Sequence, residues 1–174
     1  SFVTPINRFT QQHQLGYQFS DKTKLSGSVR FNRERITNEI AVENNGVIVN
    51  SEGKESNNDA NISASLSHRF NSSVKTNAKL YATTFTSEQE LATSSGAPYT
   101  DYFKQRFLRF ESQTDFSILK NIETSVGAGY LLDRANSTRY DKKESTKENA
   151  VGYAFFQSEW KPLDKLVIIG GARY

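Results

Sequence analysis

The sequence predicts an all-β fold: an antiparallel transmembrane β-barrel wall of about eight strands in four hairpins. Three observations predict it. Apolar and polar residues alternate along one run after another. Short turns near residues 21, 72, 120 and 163 alternate with three long polar stretches. The apolar fraction is only 36% of the 174 residues, below the usual 45–50% of soluble domains, and no run nears the roughly 18 apolar residues of a membrane helix. A barrel wall satisfies all three, because only alternate side chains meet lipid.

The elements follow in order. Phe9 to Phe19 alternates, with Phe9, Gln11, His13, Leu15, Tyr17 and Phe19 on one face. Gln11 and His13 suit a lipid face poorly, so the extent of this first strand is open. Ser20 to Thr23 has turn composition. Leu25, Gly27, Val29 and Phe31 then share a face, and the pattern weakens through Ile36, Ile40 and Val42. Glu43 to Asn58 is rich in Asn, Ser, Glu and Gly and reads as a long loop. The third strand sets Ala60, Ile62, Ala64, Leu66, His68 and Phe70 against Asn61, Ser63, Ser65, Ser67 and Arg69. After Asn71-Ser72-Ser73 the chain returns through Val74, Thr76, Ala78 and Leu80. A second loop is expected over Thr86 to Tyr102, including Ser94 to Pro98.

Gln105 to Ile118 sets Leu108, Phe110, Thr114, Phe116 and Ile118 against Arg109, Glu111, Gln113, Asp115 and Ser117. Past Leu119-Lys120-Asn121, Ile122 to Leu132 forms the sixth strand. A third loop is expected from Asp133 to Glu148. Two more runs, Val151 to Trp160 and Leu166 to Tyr174, flank the Pro/Asp turn at Lys161 to Lys165 and read as a hairpin. Ala154, Phe156, Ser158 and Trp160 oppose Phe155, Gln157 and Glu159. Leu166, Ile168, Gly170, Ala172 and Tyr174 oppose Val167, Ile169, Gly171 and Arg173.

Composition closes off other classes. Aromatic residues make up 12%, too many for a disordered chain. Without cysteine there is neither a disulfide framework nor a thiolate metal site. The chain begins at Ser1, has no Met, and shows no signal peptide, as expected of a processed or truncated end. A net charge of +3, with both signs interspersed, forms no stripe for nucleic acid. A soluble β-sandwich also alternates, but its turns recur every 8–12 residues or so.

Catalytic signals are weak, and no enzyme is expected. His13 and His68 fall on the nominal lipid face with no third ligand near them, which argues against a metal site. No nucleophile-elbow sequence and no Gly-rich phosphate loop occurs, and no cofactor is implied; Gly170-Gly171 reads as close packing within a strand. Charge collects on the faces assigned to the lumen: Arg30, Arg69, Lys79, Arg109, Glu111, Asp115, Glu123, Glu159 and Arg173. Such charges pair across a wet interior, line a path for substrate or a plug, or do both. The long loops offer Tyr99, Tyr102, Phe103 and Tyr140 as ligand contacts or as an outer aromatic girdle.

One stretch carries a resemblance. The run Phe155, Gln157, Glu159, Trp160, Lys161, Pro162, followed after a short turn by Gly171-Ala172-Arg173-Tyr174, resembles TonB-dependent outer-membrane receptors; Arg106 to Tyr140 fits the same family more loosely. The resemblance implies a place in the middle of a barrel of about 22 strands. It implies the outer membrane of a Gram-negative bacterium, with lipid around the wall. It also implies a plug domain, further barrel strands, TonB as energy source, and a scarce small nutrient such as a siderophore complex, haem, cobalamin or glycan. No plug domain and no TonB-contacting segment is recognisable, so residues 1–174 read as one segment of a barrel domain. The alternative is a complete eight-stranded outer-membrane protein with a structural or adhesive role. Its interior would be filled by side chains, whereas many inward positions here are Ser, Gly, Asn or Ala.

Overall fold

The computed structural model describes residues 5–44, 47–92, 99–140 and 146–174. Ser1, the Ser94 to Pro98 stretch and residues 141–145 lie outside the described residues, as do the side chains of Ile40, Val42 and Ile118. Eight strands form one antiparallel meander: β1 (Ile6–Ser20), β2 (Thr23–Asn44), β3 (Val47–Arg69), β4 (Val74–Ala92), β5 (Tyr99–Leu119), β6 (Ile122–Ser137), β7 (Thr146–Leu163) and β8 (Leu166–Arg173). Each strand pairs only with its sequence neighbours. β1 and β8 are not hydrogen-bonded to each other, so the sheet is open. The eight strands therefore do not close on themselves, which counts against the complete small barrel.

The short turns fall where turn chemistry predicts. The Asn71 side chain accepts a hydrogen bond from the Ser73 amide at 2.8 Å, and the Ser20 hydroxyl accepts one from the Lys22 amide at 3.3 Å. Asp164-Lys165 closes the last hairpin.

The three polar stretches differ from expectation. Most of Glu43 to Asn58 is strand, since β2 reaches Asn44 and β3 starts at Val47. β4 runs on to Ala92 and β5 already begins at Tyr99. β6 continues to Ser137 and β7 starts at Thr146. The physical reason lies in the environment. A ladder projecting into water on both faces is held by backbone bonds and needs no apolar period, so the alternation fades while the strand persists. At about 3.3 Å per residue, the 23-residue β3 is roughly 75 Å long. A tilted membrane crossing uses only about 9–11 residues.

Register sorts the side chains into two faces. One hydrogen-bonded row reads Leu15, Gly27, Ala64, Leu80, Phe110, Tyr130, Gly152. The adjacent row, on the opposite face, reads Gly16, Ser26, Ser65, Lys79, Glu111, Gly129, Tyr153. Over the middle of the sheet the charged side chains fall on the second face, which also carries Tyr81, Leu131, Val151, Tyr153 and Phe155. His13 and Gln11 stay on the apolar face, opposite Val29 and Phe31, so the first strand is regular despite them.

No apolar core forms among the described residues. Leu66, Phe110 and Ile168 are 43%, 47% and 46% exposed, and Tyr153 is the one buried hydrophobic residue among the described residues. A soluble domain would not leave a continuous apolar face uncovered. Lipid covers such a face, and the backbone groups between its edges are already paired in the ladder.

Candidate functional site

The most organised side chains lie on the polar face where β5, β6 and β7 run together. Tyr153 sits opposite Gly129, and Phe155 opposite Gly127. Both rings fold flat over the glycines. A Cβ on Gly129 would stand 2.3 Å from Tyr153 Cζ and 2.8 Å from the Phe110 carbonyl oxygen; one on Gly127 would stand 2.3 Å from Phe155 Cζ. Only glycine leaves room for the rings at those positions.

Laid across β6, Tyr153 reaches β5. Its hydroxyl donates to Glu111 Oε2 at 2.6 Å and accepts from Arg109 Nε at 3.2 Å. Arg109 Nη2 donates to the same carboxylate oxygen at 2.7 Å. From β8 the Arg173 guanidinium caps the Tyr153 ring, 4.0 Å from its centroid. The Tyr153 and Phe155 rings stack at 6.5 Å. Beside this network opens a cleft of about 570 Å³, lined among others by Arg109, Glu111, Gln157, Gly171 and Arg173. It offers guanidinium donors, an amide and a carboxylate, which suits hydrogen bonding to a polar surface. It contains no activated nucleophile.

Of the nine charges expected at the lumen, the structure brings together Arg109, Glu111 and Arg173, with Lys79 across from Glu111. The others share the polar face but lie apart. Arg30 pairs with Asp59, Nη2 to Oδ1 at 3.3 Å. Glu159 pairs with Lys161 at 2.8 Å and lies across from Glu123. Arg69 stands opposite Lys75. Tyr153 and Phe155 were not among the site residues read from sequence. A tyrosine and a phenylalanine spaced by two, facing two glycines spaced by two, was the available signal. Of the two glycines expected to pack closely, Gly171 does, since a Cβ there would stand 2.6 Å from the Phe156 carbonyl oxygen, whereas one on Gly170 would meet open space.

The four aromatics expected on loops do not converge. Tyr99, Tyr102 and Phe103 belong to the first residues of β5. Phe103 lies on the polar face, its ring 6.2 Å from that of Phe85, while Tyr102 pairs with Glu88 on the other face. Tyr140 follows the end of β6, its amide bonded to the Ser137 carbonyl at 3.3 Å.

A second cluster closes the far end of β5 and β6. Asp101, 4% exposed, accepts a hydrogen bond from Thr138 and pairs with Arg139, whose Nη2 also reaches Gln89 Oε1 at 3.4 Å. The Ser137 hydroxyl donates to the Tyr102 carbonyl at 3.1 Å. The Thr138 hydroxyl holds the Asp101 carboxyl below its ordinary pKa, against the opposing effect of burial and with help from Arg139. Sequence periodicity carried no trace of this cluster, because it lies beyond the alternating part of the strands.

The histidines are structural neighbours of the turns and the apolar face. His68 Nδ1 bonds the Thr23 hydroxyl at 2.7 Å and its ring meets Phe70 edge-on. Among the described residues no three His, Cys, Asp or Glu side chains are placed to hold a metal ion.

No protein-family model matches the sequence, and no curated protein matches it. Solved structures do match the fold. The copper transporter OprC superposes at a TM-score of 0.72 with 10% identity, over 94% of this chain and 29% of its own. The ferric yersiniabactin uptake receptor FyuA of Yersinia pestis gives 0.68 with 11% identity, over 98% and 29%. BauA, the ferric preacinetobactin receptor of Acinetobacter baumannii, gives 0.68 with 11% identity, over 97% and 31%. The chain thus spans about three-tenths of each. An open antiparallel meander, apolar on one face and polar on the other, superposes on these structures over nearly its whole length, so its fold is that of part of their β-barrel walls.

Proposed function

We propose that residues 1–174 are one segment of the barrel of an outer-membrane receptor that imports a small, scarce nutrient with energy from TonB. The observation that carries this is the pair of unpaired edges on a sheet whose apolar face is uncovered. Such a sheet needs lipid on one face and further strands at both margins. The matching structures, a ferric yersiniabactin uptake receptor, a ferric preacinetobactin receptor and a copper transporter, support the class without naming a substrate for this chain. In this reading the polar face lines the lumen. Arg109, Glu111, Tyr153 and Arg173 then present donors and acceptors to a plug domain, and the long ends of β2 to β7 project outside the cell. The chain performs no covalent chemistry.

The test uses the whole protein in its own membrane. Uptake of labelled ferric siderophores, haem, cobalamin and copper is compared in cells with and without the protein, each with and without TonB. Uptake of one ligand that needs both proteins supports the reading. Uptake indifferent to TonB removes it. Cysteine labelling gives an independent check: Glu111→Cys should react with a water-soluble maleimide and Phe110→Cys only with a lipid-phase probe.

A further inference from the structure

The apolar face changes character abruptly towards the long connections. Along β5, Phe110 and Leu108 give way to Arg106 and Lys104; along β6, Tyr130 and Leu132 give way to Arg134. Arg106 and Arg134 are direct cross-strand partners. Like charges set opposite one another weaken a strand pair, so this pair calls for an anion. The surroundings supply little. Glu148, across from Arg134, approaches its Nε only to 3.9 Å, with both side chains more than half exposed. Glu88 lies diagonally from Lys104, on the strand beyond it. Among the described residues neither Lys104 nor Arg106 has a hydrogen-bond or ion-pair partner. The three cations surround a cleft of about 160 Å³ completed by Asn136 and Thr146, whose side chains bond each other at 2.7 Å.

We propose that Lys104, Arg106 and Arg134 form a binding site for the phosphorylated headgroup of an outer-leaflet lipid. The inference rests on the orientation of the wall given above. Two guanidiniums side by side present the forked donors that match phosphate oxygens, and Lys104 adds a third positive charge. Position selects a lipid over free phosphate. One step along the strands, about 7 Å away, the face becomes Leu108 and Leu132, then Phe110 and Tyr130, where acyl chains would lie. A headgroup held at the cations and chains laid on that band satisfy both surfaces at once. Anionic headgroups attract such juxtamembrane basic clusters.

The experiment uses the full-length protein, purified in detergent and stripped of lipid, with native mass spectrometry as readout. Bisphosphorylated lipid A, its fully dephosphorylated form and inorganic phosphate are titrated separately. Lipid A should bind the wild type, and the Arg106→Gln/Arg134→Gln double variant should bind it about 10-fold or more weakly. The corresponding double Lys variant, which keeps the charge but loses the fork, should bind more tightly than the double Gln variant and more weakly than the wild type. Dephosphorylated lipid should bind poorly to all, and millimolar phosphate should not displace lipid A. Unchanged binding in the double Gln variant overturns the proposal, as does equal binding of the dephosphorylated lipid. Full displacement by phosphate assigns a simple anion site instead and also overturns it. Heat-shifted gel mobility shows that each variant is folded. Nutrient uptake, measured in parallel, reports on the receptor reading separately from the lipid site.

Discussion

Gly129 has no side chain because the Tyr153 ring occupies the space one would fill, and the hydroxyl of that ring joins Glu111 and Arg109 on the neighbouring strand. The network depends on a missing atom. Gly129→Ala should therefore push Tyr153 off β6 and destabilise the folded barrel by about 1–3 kcal/mol. In a Tyr153→Ala background the same change should cost less, leaving only the approach to the Phe110 carbonyl, which a double-mutant cycle in guanidinium would reveal. Equal cost in both backgrounds would refute the ring-on-glycine account. Tyr153→Phe should lose about 1 kcal/mol, since it removes one hydroxyl and leaves Glu111 its arginine. Asp101 governs a different property. Its carboxyl titrates below the ordinary range in the folded protein, so it adds stability that is full above the unfolded pKa and disappears as pH falls through the folded value. Hydrogen exchange at the Tyr102 and Thr138 amides should accelerate on acidification below that range. Asp101→Asn should remove the pH dependence.

At the level of elements, β2 and β3 have two lives. Their turn-side halves alternate and present Leu25, Val29, Ile62 and Leu66 on one face. Their far halves are still paired, Asn38 with Gly53 and Ile36 with Glu55, but without the apolar alternation. That difference predicts where the membrane ends. Phe110→Arg, deeper within the apolar band, should cost about 2–4 kcal/mol for folding into lipid vesicles, as a charge does near the midplane. A new charge at Asn58, on the same face three rows beyond, should cost far less. Gly53→Cys should be labelled by an impermeant reagent on intact cells, and protection of that position would reverse the assigned direction of the wall. The same division explains the sequence reading. The band was legible because lipid imposes a period of two. The projecting halves read as loops because water imposes none, and ladder hydrogen bonds leave no mark on residue type.

For the molecule as a whole, two edges are open. β1 and β8 each carry a row of backbone groups with no partner, which no membrane protein leaves in hydrocarbon. The isolated 174-residue chain should therefore aggregate or fail to insert into vesicles, while the full-length protein inserts and gains heat-shifted mobility. A stable, monomeric, inserted fragment whose β1 and β8 crosslink to each other would show a closed small barrel instead.

The sequence alone determined that this chain is a membrane wall: alternation, short turns and the Trp160 to Tyr174 hairpin are local, and a lipid boundary writes itself into every second residue. It also placed Arg109, Glu111 and Arg173 on one face, because parity along a strand decides the face. Only the tertiary structure decided that these three meet around Tyr153, that Asp101 locks to Arg139, and that the edges stay open. Those facts depend on register between strands up to dozens of residues apart, and register is a relation between segments that no single segment contains.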